Sequence, residues 1–252
     1  MKLALVTAGY HRLGGVIAAR LAEAGWALAL HSRSATEPDP PLAALLALHG
    51  TQWRGFEADL ADGAAATHLI GQVVAHFGQA PSLLVNNASL FEWDDIHSVT
   101  PQALAAHFAV NLSAPVLLAA SLAANLGLDE EACIVNILDQ RIAQPNGDQL
   151  SYTLSKQALA EATKTLARVL APRIRVNAVA PGLTLPTDEY RPAQMVTLQK
   201  AMPLQRLPEP DDIADAVLWL AGAQATTGQT IFVDGGASMK SYARDFRFMD
   251  GS

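Results

Sequence analysis

A chain of 252 residues fits one α/β domain, a class that reaches this size before its core divides. Half of the residues are hydrophobic and 16% charged, which excludes a disordered chain, and a net charge of −7 gives no general pull toward nucleic acid or an anionic membrane. The single cysteine, Cys133, excludes an internal disulfide and fits a reducing compartment, the cytoplasm by default. The histidines are scattered singly without zinc-ligand spacing, so no metal is expected. No uninterrupted apolar run approaches the ~18 residues of a membrane span, and the first residues lead into a glycine-bearing turn instead of a signal cleavage site.

Short β-like runs alternate with helical patterns along the chain. Strands are expected at 3–7, 26–31, 52–57, 83–86, 133–138, 175–179 and 230–233, several of them apolar on both faces as a covered parallel sheet requires. Helical spacing joins Leu13, Val16, Ile17 and Leu21 after the first strand. The cluster Pro38, Pro40 and Pro41 reads as a turn opening a helix, and Leu159, Ala162, Leu166 and Leu170 follow helical spacing ahead of Pro172. This alternation predicts a single Rossmann-like α/β domain over 1–252: a doubly wound parallel sheet of seven strands with helices on both faces. Its ligand crevice lies beyond the carboxyl ends of the strands. The weakly periodic stretch 183–208 reads either as a flap over that crevice or as an irregular connection, and 237–252 as a tail.

The segment Thr7-Ala8-Gly9-Tyr10-His11-Arg12-Leu13-Gly14 joins the first strand to its helix, where glycines and free N–H groups could meet a pyrophosphate. A tight turn without a ligand explains the same glycines. After the second strand the chain reads Leu30-His31-Ser32-Arg33-Ser34, with no acid to accept from ribose hydroxyls, and Arg33 between two serines suits a 2′-phosphate. NADPH is therefore expected over NADH. Asp59, beside Leu60, reads as an adenine contact or a helix cap, and Asn86 and Asn87 as cofactor contacts or as support for neighbouring strands. Tyr152 and Lys156, four apart, share a helix face, so a cation beside the phenol would lower its pKa toward neutrality.

These motifs resemble the short-chain dehydrogenase/reductase family. The resemblance rests on TAGYHRLG, NNAS, Asn111 in a long helix, Tyr-Thr-Leu-Ser-Lys, Arg-Val-Asn-Ala-Val-Ala-Pro-Gly and Thr-Gly-Gln-Thr-Ile-Phe-Val-Asp-Gly-Gly, in the family's order from Thr7 to Gly236. It implies Tyr152 as proton donor, Lys156 as its tuning cation and ribose contact, and Asn111 as support for a proton-relay water. It implies cofactor contacts from Gly9, His11, Arg12, Leu13, His31, Ser32, Arg33, Ser34, Asp59, Leu60, Asn87, Ala88, Ser89, Tyr152, Lys156, Pro181, Gly182 and Thr184. Two departures matter: Ala8 and Arg12 stand where the family has glycines, and Asp139 stands where it has a catalytic serine.

Both departures resemble the pteridine reductase branch, as do Asn86–Phe91 and Pro181–Thr184. That branch implies a pterin stacked on Phe91, with Arg12, Ser89, Asp139, Tyr152 and Leu183 around it and an Asp–Tyr pair protonating a ring nitrogen. Phe91 alone would read as core and Asp139 alone as a cap. A ketone reductase and a cofactor-sensing regulator are the rivals, and the set Asn111, Tyr152 and Lys156 weighs against the regulator. The resemblance also implies a homotetramer, with the C-terminal tail either beside a neighbouring subunit's active site or at an interface.

Overall fold

The computed structural model describes residues 1–34, 36–185 and 190–248. Its centre is a seven-stranded sheet of order β3-β2-β1-β4-β5-β6-β7, every pair parallel. The strands are β1 (Leu3–Val6), β2 (Ala27–Ser32), β3 (Trp53–Glu57), β4 (Leu83–Asn86), β5 (Ala132–Ile137), β6 (Ile174–Pro181) and β7 (Thr230–Val233). Each coincides with an expected strand, and β6 runs further at both ends. The helices are α1 (Arg12–Glu23), α2 (Pro40–Leu48), α3 (Gly63–Phe77), α4 (Pro101–Phe108), α5 (Ala114–Asn125), α6 (Leu150–Val169), α7 (Pro192–Ala201) and α8 (Pro210–Gly222).

The pleat of β1 explains why both faces are covered. Ala4 and Val6 join one apolar cluster with Ile17 of α1 and Val217 of α8, whereas Leu3 and Leu5 join another with Ile70 of α3 and Leu118 of α5. Fully burying each such Leu, Ile or Val contributes roughly 1.5–3 kcal/mol, so neither helix layer can be stripped without losing the fold. β1 pairs with β2 on one side and β4 on the other. The connections reverse direction there, and a crevice opens at the carboxyl ends of those strands.

Three features depart from the sequence reading. α4 and α5 are fused through a π-helical turn, Ala109–Ser113, into a helical run Pro101–Asn125 that is long and apolar enough to cross a membrane by length and composition. Counting uninterrupted apolar residues missed it because His107 and Asn111 punctuate the run. Both are buried among protein hydrogen bonds. Second, the stretch 183–208 contains α7, whose Leu198 is buried together with Met202 just after the helix; the part of that flap at 186–189 lies outside the described residues. Third, the tail is anchored to its own chain: Phe246 shares a small core with Leu198, Met202 and Ala237.

Candidate active site

A crevice of about 540 Å³ lies over the carboxyl ends of the strands. Of the residues expected to contact cofactor or substrate, it is lined by His11, Arg12, Leu13, Ser32, Arg33, Asn87, Ser89, Phe91, Asp139, Tyr152, Lys156, Pro181, Gly182, Leu183 and Thr184.

The turn from β1 to α1 keeps a glycine-like backbone at two positions that are not glycine: Ala8 and Arg12 have φ of 50° and 52°. Gly14 cannot carry a side chain, because a Cβ would lie 2.0 Å from the Ala8 carbonyl oxygen and 2.6 Å from Asn87 Nδ2. Asn87 ties the turn down, its Nδ2 donating to the Thr7 and Ala8 carbonyls at 3.0 and 3.2 Å. α1 then opens with no capping side chain and no acid in its first turn. Its first N–H groups therefore stand at the crevice as an anion site, beside the exposed Arg12 and Arg33.

Several expected contacts support this loop without lining the crevice. His31 is buried; its Nδ1 accepts from the Ala8 amide at 3.2 Å and its Nε2 lies 2.9 Å from the Ala58 carbonyl. Desolvation lowers its pKa, so it is a neutral prop. Gly9 is buried, donating its amide to the His31 carbonyl at 3.0 Å. The Asp59 carboxylate accepts from the Ala61 amide at 2.9 Å, while the cap of α3 is Asp62. Leu60 sits in the core, and the Ala88 amide donates to Thr7 Oγ1 at 2.9 Å. Ser34 contributes its carbonyl to Ser32 Oγ at 2.7 Å. Asn86 is structural, donating to Asn136 Oδ1 at 2.8 Å.

At the other end, Tyr152 Oη donates to Asp139 Oδ2 at 3.0 Å. The ring of Phe91, 52% exposed, stands edge-on to Tyr152 with centroids 4.6 Å apart. Asp139 both faces the crevice and caps a short turn, accepting from the Arg141 amide at 2.9 Å. Lys156 Nζ donates to the Ile137 carbonyl at 2.7 Å, its centre 5.7 Å from the Tyr152 ring.

The expectation that Lys156 lowers the phenol pKa does not hold here. Burial first, then the neighbouring Asp139 carboxylate, push the Tyr152 phenol well above its ordinary value, and the cation that opposes them is Arg141. Desolvation brings Lys156 itself down to about 8. Tyr152 is thus a neutral, hydrogen-bonded acid.

Asn111 is tied into the loop it packs against. Centred in the π turn, its Nδ2 donates to the Leu90 carbonyl and Ser155 Oγ, both at 2.9 Å, and its Oδ1 accepts from the Leu90 amide at 2.8 Å. Its amide is committed to holding the Ser89–Phe91 loop against α6, and it does not line the crevice. Sequence reasoning also missed two residues. Arg141 lies 5.7 and 5.4 Å from the Phe91 and Tyr152 ring centroids. Asp94 accepts from the Ser151 amide at 3.0 Å and from the Ser151 hydroxyl, capping α6 from a distant loop. Arg141 follows Asp139 by two positions, a signal within reach; Asp94 is 57 residues from Ser151 and left none.

Residues 9–238 match a family model described as enoyl-(acyl carrier protein) reductase. The putative ketoacyl reductase 2 of the granaticin polyketide synthase from Streptomyces violaceoruber is 32% identical, over 94% of this chain and 96% of its own length. The 3-oxoacyl-[acyl-carrier-protein] reductase FabG of Staphylococcus epidermidis is 30% identical, over 94% and 99%. The crystal structure of FolM alternative dihydrofolate reductase 1 from Brucella canis, complexed with NADP, superimposes with a TM-score of 0.87 at 38% identity, covering 94% of each chain. A family match across residues 9–238 and relatives aligned along nearly their whole length leave one assignment: the chain is an oxidoreductase of the short-chain dehydrogenase/reductase family.

Proposed function

We propose that this enzyme reduces a dihydropterin or dihydrofolate to its tetrahydro form, using NADPH. The observation that carries the reading is the Tyr152–Asp139 hydrogen bond of 3.0 Å beside the exposed ring of Phe91. Reducing a ketone requires one proton on oxygen, whereas reducing a ring C=N bond requires one on nitrogen, and a phenol backed by a carboxyl group is suited to relay it. Phe91 offers a flat face to a flat heteroaromatic ring. The likeness to the dihydrofolate reductase of Brucella canis supports the same substrate class.

The residues at the other end fit NADPH. The uncapped first turn of α1 would take the pyrophosphate, and Arg33 with Ser32 and His11 the 2′-phosphate. Asn87, Lys156, Gly182 and Thr184 would hold the nicotinamide half. When bound, NADPH supplies the hydride. The chain's own part is to hold the pterin ring against Phe91 and deliver the proton from Tyr152 Oη. Asp139, its side chain 20% exposed, then returns a proton from solvent to the phenol.

The aligned ketoacyl reductases favour one other reading, NADPH-dependent reduction of a 3-oxoacyl or related ketone by the same tyrosine. Initial rates with NADPH against dihydropterins, dihydrofolate and a 3-oxoacyl thioester separate the two. Turnover of the thioester alone would overturn the pterin reading. We also read the protein as a cytoplasmic homotetramer; Trp219 of α8 and Phe232 of β7, 56% and 38% exposed, support the self-association.

A further inference from the structure

Arg141 is almost fully buried, its side chain 8% exposed, and its guanidinium is held on three sides. Nε donates to Asp139 Oδ1 at 3.3 Å, Nη1 to Gln149 Oε1 at 2.6 Å, and Nη2 to Asp245 Oδ2 at 2.8 Å. Because Asp139 Oδ1 is taken by Arg141, Oδ2 is the oxygen left to meet Tyr152. Asp245 comes from the C-terminal segment, 104 residues away. Its side chain is only 7% exposed and is itself fixed. Its amide donates to Asp148 Oδ2 at 2.7 Å, its Oδ1 accepts from the Arg247 amide at 2.9 Å, and the preceding Arg244 pairs with Asp148 at 2.9 Å. Gln149 presents its carbonyl from a left-handed backbone, φ 46°, a conformation that costs energy in a non-glycine residue and persists where surrounding contacts impose it.

A buried guanidinium bonded to a carboxylate through Nε alone would leave its terminal N–H donors unpaired, and it would be free to swing between partners. With Asp245 opposite Asp139, it is clamped in one plane. The geometry points to Arg141 and Asp245 as positioning residues, through which the chain's own C-terminal segment fixes the Asp139 carboxylate against the Tyr152 phenol. Neither needs to touch the substrate. This inference rests on the proton-delivering role proposed for the Tyr152–Asp139 pair, and adds that the pair is aligned from the far end of the chain.

A kinetic cycle tests it. Asp245→Asn keeps the size and removes the charge; kcat for a dihydropterin falls roughly tenfold or more, as expected when a reacting group is displaced by a fraction of an ångström. NADPH affinity, read by cofactor fluorescence, stays within about twofold, and Asp245→Glu recovers most of kcat. In an Asp139→Ser background, Asp245→Asn then changes kcat by less than about twofold, because the group it positions is gone. An equal loss in both backgrounds, or an unchanged kcat in Asp245→Asn, overturns the inference. Should Asp245→Asn melt below the assay temperature, Arg141→Lys carries the same cycle. An enzyme that turns over a 3-oxoacyl thioester and no dihydropterin would fail the pterin reading alone; the cycle is then measured with the thioester, since Tyr152 meets Asp139 in either case.

Discussion

Tyr152 has a raised pKa, from burial and from Asp139, so at neutral pH it holds its proton and can give it. Tyr152→Phe removes that proton while leaving the α1 turn and Arg33 untouched. kcat is expected to fall ~10²- to 10⁴-fold with NADPH affinity retained, as single-turnover rates and a fluorescence titration would show. Arg33→Asp should do the opposite, weakening NADPH far more than NADH without changing the single-turnover rate at saturating cofactor; equal weakening of both would remove Arg33 from the 2′-phosphate. Lys156 offers a thermodynamic check. Its folded pKa of about 8 lies below the ordinary 10.5, so between these values the unfolded chain carries a proton that the folded chain has released. The stability contributed by this group therefore rises with pH across that window and is lowest below pH 8, by up to ~3 kcal/mol. Thermal melts of the unmodified protein and Lys156→Met, compared at about pH 7 and pH 9.5, should shift in favour of the unmodified protein at the higher pH; a constant difference would show that Lys156 titrates normally. The chemistry-bearing residues were legible because Asp139, Tyr152 and Lys156 lie within one strand end and one helix turn. The electrostatics were not, because the second carboxylate on the opposing cation is Asp245, 104 residues beyond it, a contact that no local spacing encodes.

In the β1–α1 turn, the replaced glycines proved legible as replacements while their backbone was not. Sequence shows that Ala8 and Arg12 stand where glycine is usual; only the fold shows that both keep a positive φ, so the turn retains its shape at a strain of roughly 1–2 kcal/mol per residue. Ala8→Gly should therefore raise stability by about 1 kcal/mol with kinetics unchanged, a balance of relieved strain against the entropy glycine adds to the unfolded chain. Gly14→Ala meets backbone instead: its Cβ would fall 2.0 Å from the Ala8 carbonyl oxygen, so the turn itself must move. A stability loss of about 1–3 kcal/mol and weaker NADPH binding should follow, measured by denaturant titration and fluorescence; unchanged binding would mean that the turn's shape does not set the phosphate site. The family resemblance likewise set Asn111 in a long helix but gave no sign of the π turn. In that turn Asn111 bonds inward to Leu90 and Ser155, a long-range pairing without a periodic signature.

The doubly wound parallel sheet of seven strands followed from their alternation with helices, yet the way the chain closes over its own crevice did not. The flap and the tail are each weakly periodic, and what orders them is mutual: Leu198 of α7 and Met202 just after it meet Phe246 of the tail. Gln194 Nε2 donates to the Phe246 and Arg247 carbonyls at 3.0 and 2.9 Å. Arg141, Asp148 and Gln194 of the same chain supply partners to the described part of the tail. Phe246→Ala tests whether the two segments form one cooperative unit. Removing a buried phenyl ring costs ~3–5 kcal/mol when the site cannot collapse, and here the loss falls on a small satellite core, away from the sheet. Local opening of the flap should therefore increase more than global unfolding does. Under native conditions trypsin should cut faster after the exposed Arg191 and Lys200 in the variant, while the main thermal transition moves little and KM for the substrate rises. A large drop in the main transition without faster cleavage at those sites would show that the tail supports the whole fold and does not specifically hold the flap.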